Sequence, residues 1–253
     1  MANGILGKVL IHASAALAIG CLAMQPARAD EPRDVERETR EFKISVDSKP
    51  RGQCKMTIHK RDDGSDKLHI DAGLTFDYVV YVYRYRSTGT EVWKEGRLVE
   101  LENTADLNKT RYRLSAKATE KGLRLSVDGN QSDLPADAWP TSYWRIPDRL
   151  AHRESDEKSG VVTAGASKPA EGGKAKKVSL LDSDKGQNLR GEVQYVGAEM
   201  ISVAGKRKSC AHYRVSGEVQ VDLWYDDARR LVRQEGVESG HKTLLELTRL
   251  TTE

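Results

Sequence analysis

The chain has 253 residues, with 41 Lys+Arg against 38 Asp+Glu and a formal net charge of +3. So even a mixture of signs argues against nucleic-acid binding by bulk charge. With 31% of residues charged, it is too polar for several membrane spans, yet long enough for one substantial core.

Residues 1–29 carry only two charges, Lys8 and Arg28, around an apolar run from Val9 to Met24. Gln25-Pro26-Ala27-Arg28-Ala29 then precedes Asp30. Together these are the basic, apolar and small-residue regions of a secretory signal, with cleavage expected between Ala29 and Asp30. The run is short for a bilayer span. The expected location is therefore periplasmic or secreted, with no transmembrane span in the mature chain. Leu17-Ala18-Ile19-Gly20-Cys21 offers an alternative, a lipid anchor on Cys21. Loss of 1–29 removes Lys8 and Arg28 and leaves the two signs almost balanced, so the basic isoelectric point names no partner.

Residues 30–41 are nearly all charged and read as a solvated, disordered leader. From Phe42 the period becomes two. Phe42, Ile44 and Val46, then Cys54, Met56 and Ile58, make a hairpin around Asp47–Gly52. From Leu68 the even positions stay apolar as far as Val82, while the odd face changes from polar to apolar at Val79, Tyr81, Tyr83 and Tyr85. This reads as one long strand bent at Gly73, its far half covered by something. Shorter alternating runs follow around Glu95-Gly96, over Tyr112–Ala118 and over Leu123–Val127. Residues 133–149 hold two Trp and three Pro and read as an irregular aromatic segment, and 151–177 as a flexible insertion. Alternation resumes at Val178, passes a bulge at Gly197, and runs along a second long strand from Tyr213 to Tyr225 before closing with Leu231–Val237 and Lys242–Leu250.

No stripe of helical period reaches ten residues. The expected fold is mainly β: a single antiparallel, strongly curved sheet or partly open barrel with little helix, forming one domain over 42–250.

Glu91-Val92-Trp93, Gly96-Arg97-Leu98, Ser142-Tyr143-Trp144, Leu223-Trp224-Tyr225-Asp226 and Gly240–Leu247 follow one another in an order that resembles an uncharacterised family of exported bacterial proteins, a domain of unknown function. The resemblance runs from about Phe42 to Leu250, and the family pattern lacks the 151–177 insertion. It is also similar, distantly, to the curved, partly open barrels of lipoprotein carriers. That likeness implies an apolar groove but no catalytic residues.

The chain contains no G-x-S-x-G, H-E-x-x-H, phosphate loop or dinucleotide fingerprint. Asp182-Ser183-Asp184-Lys185-Gly186 imitates the start of a calcium loop, but its glycine is early and its twelfth position is Val193, so it reads as an acidic turn. No metal and no cofactor are expected. Tyr81, Tyr83 and Tyr85 with Trp139, Tyr143 and Trp144 are the candidate lining of a site for a lipid or other apolar ligand; the competing reading is that they pack as core. Cys54 and Cys210 remain once Cys21 is removed. They can close a disulfide, for which an oxidising compartment argues, or stand as two thiols. The functional expectation is an exported, non-enzymatic β protein. The alternatives are an enzyme built on Cys210 and His212, and a purely structural or protein-interaction module.

Overall fold

The computed structural model describes residues 31–77, 82–152, 173–238 and 240–253. The compact unit Pro32–Glu253 is built from fifteen strands in one sheet, and no helix occurs among the described residues. The first eight are β1 (Asp34–Val46), β2 (Lys49–Arg61), β3 (Ser65–Asp77), β4 (Val82–Lys94), β5 (Arg97–Leu107), β6 (Thr110–Thr119), β7 (Gly122–Val127) and β8 (Asn130–Leu134). The rest are β9 (Trp139–Pro140), β10 (Lys176–Leu181), β11 (Asn188–Val203), β12 (Lys206–Gly217), β13 (Val221–Tyr225), β14 (Leu231–Glu238) and β15 (His241–Thr252).

Each of β1 to β8 pairs with the next, β15 returns to β1, and the remainder step back to β9. The two ends, β8 and β9, are not hydrogen-bonded, so the sheet is a barrel left open at one seam. All pairs are antiparallel except β9 with β10. That short parallel contact arises because residues 135–138 carry the chain across the seam instead of turning it back. Five hairpins turn on residue pairs with left-handed backbone, at Asp47-Ser48, Glu95-Gly96, Asn108-Lys109, Asp128-Gly129 and Ala204-Gly205. Two-residue turns of this kind match the twist of the strands they join.

Two long strands of the sequence reading are hairpins. β3 ends at Asp77 and β4 begins at Val82, with Phe76 opposite Tyr83 and Leu74 opposite Tyr85. Gly73 is no hinge; it pairs in unbroken register with Gln53 and Arg86. Likewise, β12 and β13 fold on each other with Val215 opposite Val221 and Tyr213 opposite Leu223. The bulge near Gly197 is present, between Tyr195 and Gly197.

The charged leader is also corrected. Residues 34–41 are the first half of β1, paired to β2 and, from Glu38 onward, to β15. Its inward charges are not solvated: Glu38 is 8% exposed and Arg40 3%. Of the expected insertion, residues 153–172 lie outside the described residues, while Lys176 and Lys177 already belong to β10. The signal segment with Ala29 and Asp30, Cys21, and Tyr81 also lie outside them.

Antiparallel order places the turns at two mouths. The β1–β2, β5–β6, β7–β8 and β10–β11 connections share one, called upper here; the β2–β3, β4–β5, β6–β7 and β13–β14 connections share the other. One core fills the interior, reaching from Phe42 and Met56 across to Leu223 and Leu231.

Candidate functional site

The chain leaves β9 beside the β10–β11 loop and crosses the barrel toward the lower mouth as a strap, residues 141–152. Trp139, Tyr143, Trp144, Ile146 and Leu150 are all 1–4% exposed. Tyr143 has φ +47, in the left-handed region that bulky side chains seldom enter, so the strap is held against a local cost. Four contacts hold it. The Tyr225 hydroxyl donates to the Tyr143 carbonyl at 2.9 Å. Leu231 N–H donates to the Trp144 carbonyl, which also accepts Arg40 Nη1 at 2.6 Å. Arg145 pairs with Asp66 at 2.9 Å.

Glu91 on β4 is the polar centre of this packing. It is 3% exposed and accepts Trp93 Nε1 at 2.7 Å. Trp93 in turn meets Trp144 edge-on, ring centroids 5.9 Å apart. Ser142 Oγ and Trp144 Nε1 lie beside the same carboxyl and are buried, but neither completes a hydrogen bond. Burial pushes the carboxyl up to about 7, because charge in so dry a place costs more than the neighbouring donors return.

Next to it runs a buried ionic chain. Arg40 Nε contacts Glu38 at 2.6 Å; Glu38 also accepts Arg230 at 3.1 Å; Arg230 contacts Asp226 at 2.9 Å. Burial alone would raise Glu38, but Arg40 and Arg230 hold it below the ordinary range. Desolvation lowers Arg40.

The residues that meet here are Glu91-Val92-Trp93, Ser142-Tyr143-Trp144 and Tyr225-Asp226, the same short motifs that carry the family resemblance. A family model described as a domain of unknown function, DUF6134, matches residues 42–163 and 173–248. The chain belongs to the DUF6134 family. No curated protein matches it. Among solved structures it is similar to a β-barrel-like protein of domain of unknown function DUF1849 from Brucella abortus, with a TM-score of 0.59 at 9% identity, covering 86% of this chain and 97% of that one. At that identity the likeness concerns the fold. In this DUF6134 chain Glu91, Trp93, Tyr143, Trp144 and Tyr225 are turned inward and lock the strap to the barrel wall.

At the upper mouth a second element enters, the β10–β11 loop. Asp182 caps its own turn by accepting the N–H groups of Asp184 and Lys185. Asp184 then points across the interior, accepting Ser87 Oγ at 2.7 Å and the Tyr85 hydroxyl at 3.0 Å. Burial raises its carboxyl, with Asp182 adding to the shift against the two hydroxyls. Gly186, at φ +70, sits so close to the wall that a Cβ there would lie 2.3 Å from Val127. Among the described residues no group of three or more His, Cys, Asp and Glu is placed to hold a metal.

The inner wall is unevenly covered. Near the lower mouth Leu68, Leu101, Leu123 and Leu125 are 0–1% exposed. Near the upper mouth Leu74, Tyr85, Tyr112, Val127, Leu189 and Val219 are only half-buried. On the outer face, β3–β7 carry an open groove of about 750 Å³, lined by hydroxyls such as Thr88, Thr90 and Ser115 with His69, Glu102 and Arg113.

Of the six aromatic residues expected to line one site, Tyr81 lies outside the described residues and the other five are not brought together. Trp139, Tyr143 and Trp144 are core of the strap, while Tyr83 and Tyr85 stand on the upper wall, Tyr83 against Phe76 at 5.1 Å. The thiols of Cys54 and Cys210 are free and buried, which corrects the disulfide expectation. Cys54 lies in the field of Asp184 and Cys210 in that of Asp226, at opposite mouths, and burial pushes the two up to about 12 and about 11. Cys210 and His212 form no pair either. His212 bonds Asp222 at 2.7 Å and stacks on Trp224 at 4.3 Å. Trp224 is thus 6% exposed on the outer side of β13, opposite Leu223 and Tyr225, with Arg233 over its other face at 5.3 Å.

Sequence reasoning missed Glu38 and Arg40 and gave Glu91, quoted only within the Glu91-Val92-Trp93 motif, no role of its own. A charged side chain on the apolar parity of a strand was the further signal. Glu91 shares its parity with Trp93, and Arg40 shares its parity with Phe42.

Proposed function

We propose that this protein is an exported, non-catalytic binding protein of the bacterial envelope that takes an apolar or amphiphilic molecule at the upper mouth of its barrel. One observation supports the reading: among the described residues, the apolar inner wall is sealed at its lower end by the strap and only half-covered at its upper end, where the β10–β11 loop enters, although the same strands form both. Apolar surface gathered in a concave place and left uncovered marks ligand-binding sites. The non-catalytic half of the reading rests on chemistry. The interior carboxyls are engaged by fixed neighbours, and the two thiols are held far from thiolate at neutral pH, where neither acts as a nucleophile.

The test is binding of a fluorescent fatty-acid analogue to delipidated protein, with Leu74→Glu as the variant. Leu74 is half-buried on the upper wall. The expected result is saturable binding by the wild type and at least tenfold weaker binding by the variant, with unfolding temperatures that stay close. Absence of saturable binding, or equal binding by both proteins, overturns the reading.

A further inference from the structure

We propose that Tyr85, Ser87 and Asn103 bind the carboxylate of an amphiphile, and that Asp184 of the β10–β11 loop fills this site until such a ligand displaces it; this rests on the reading of the upper mouth as a ligand site and names the headgroup taken there. Tyr85 and Ser87 are two residues apart on β4 and project to the same inner face. Asn103 stands on the neighbouring β5, opposite Gly89. Their polar atoms converge on one carboxylate. Ser87 Oγ donates to Asp184 Oδ1 at 2.7 Å, and Asn103 Nδ2 reaches the same oxygen at 3.4 Å. The Tyr85 hydroxyl donates to Oδ2 at 3.0 Å. Asn103 Nδ2 also contacts Ser87 Oγ and donates to the Ser183 carbonyl. Ser87 and Asn103 are themselves buried in the wall, at 5% and 9% exposure. Both oxygens of a carboxylate thus meet neutral donors that the sheet holds in place.

The wall around the donors is cut back and apolar. Ser87 lies between Ala72 on β3 and Ala105 on β5. Asn103 lies beside Gly89, where a Cβ would stand 2.4 Å from Asn103 Oδ1. Leu74 and Leu107 flank Tyr85, Leu114 is opposite Asn103, and Tyr112 is opposite Ala105. The loop that fills this hollow, Asp182 to Gln187, contains no apolar side chain. It satisfies the donors and leaves Leu74, Tyr112 and Val127 half-buried. A carboxylate on an alkyl chain satisfies both, with its head on the three donors and its methylenes taken out of water along the wall.

The loop is a closed turn that keeps its shape when Asp184 comes out. Gly186 N–H donates to the Asp182 carbonyl, and Asp182 N–H to the Gln187 carbonyl. The Asp182 carboxylate accepts the N–H groups of Asp184 and Lys185, and Ser183 N–H on Thr141 Oγ1 anchors the base. Asp184 therefore acts as an internal competitor. Any ligand that reaches the wall must displace it, and the apparent affinity is lowered by the fraction of time that it is seated.

Two ligands of one chain length, dodecanoate and 1-dodecanol, separate head from tail. Each is titrated by calorimetry into delipidated protein at pH 8, below its aggregation concentration. Wild type should bind dodecanoate at least about tenfold more tightly than the alcohol. Tyr85→Phe/Ser87→Ala removes two donors and should bring that ratio close to one. Displacement of the loop cancels in the ratio, because both ligands must achieve it. Asp184→Ala removes the competitor and should tighten both ligands by about threefold or more, with the ratio kept. Saturable binding of acid and alcohol with equal affinity by wild type overturns the headgroup site and leaves the ligand reading of the mouth standing; this arm needs no variant to fold. No saturable binding of either ligand overturns both. A preference for the acid that survives in Tyr85→Phe/Ser87→Ala places the headgroup elsewhere and overturns the assignment. Affinities unchanged in Asp184→Ala overturn the displacement.

Discussion

Arg40 is the residue on which the lower half of the barrel depends most, and Arg40→Met measures that dependence. The substitution keeps most of the aliphatic volume and removes the guanidinium. Three contacts go with it: the 2.6 Å pair to Glu38, the 2.6 Å bond to the Trp144 carbonyl, and the cation 5.7 Å from the Trp144 ring centre. Removing one partner of a buried ion pair typically costs roughly 3–5 kcal/mol, since the other charge is stranded. Here Glu38 keeps Arg230 at 3.1 Å, so the loss belongs at the low end, about 3 kcal/mol. For a domain of this size that lowers the unfolding temperature by roughly 6–12 °C. Equilibrium urea unfolding at pH 7 is the assay, with Lys43→Met as the control, because the Lys43–Glu246 pair is solvent-exposed and contributes little. The double variant Glu38→Gln/Arg40→Met should recover part of the loss by removing the stranded charge. Acidification adds a check of sign. Glu38 is held below its unfolded value, so its contribution is present above that value and is lost as pH falls through the folded one. The difference between wild type and Arg40→Met should therefore shrink in acid. An Arg40→Met protein within 1 kcal/mol of wild type at pH 7 would refute the argument that this network secures the strap.

Glu91→Gln should have the opposite pH profile. Its folded value of about 7 exceeds 4.5, so stability is full below pH 4.5 and declines as pH rises through 7. Relative to wild type, the variant should gain roughly 2–3 kcal/mol between pH 5 and pH 8.5, as read by chemical unfolding at the two values. Trp144→Ala should cost roughly 3–5 kcal/mol by the same assay, as large aromatic deletions in cores do. Trp224→Ala should cost stability too, about 3 kcal/mol, while leaving fatty-acid-probe binding unchanged, because its ring is packed between His212 and Arg233 on the outer side of the barrel. Thiol counting on denatured, unreduced protein comprising residues 30–253 should find two free thiols per chain, and the native protein should react slowly with thiol reagents at pH 7 because both sulfurs are buried.

Period-two alternation made most strands legible, and its failures have one geometric cause. Residues that face each other across a hairpin point to the same side of the sheet. Where their numbers differ in parity, as for Phe76 and Tyr83, the apolar phase flips at the turn. That flip is why the odd face of 67–86 changes character, which in the sequence looks like one strand with a covered far half. Where their parity agrees, as for Val215 and Val221, the alternation runs straight through the turn and a hairpin looks like one strand. The charged run 34–41 escaped for a different reason. Glu38 and Arg40 lie on the inward side and are tolerable there only because Arg230, sequentially remote, completes their network. The aromatic segment was located correctly, but nothing local says whether it lines a cavity or fills one. That depends on Arg40, Tyr225 and Leu231 reaching its backbone.

Native mass spectrometry of protein purified gently from its native cells asks most simply whether the barrel binds an amphiphile at its half-covered mouth. The expected spectrum contains a population carrying one extra mass of an apolar or amphiphilic molecule per chain, released on denaturation and absent from Leu74→Glu prepared in the same way. A wild-type spectrum holding only the bare mature chain, or an adduct equally abundant in Leu74→Glu, would contradict it.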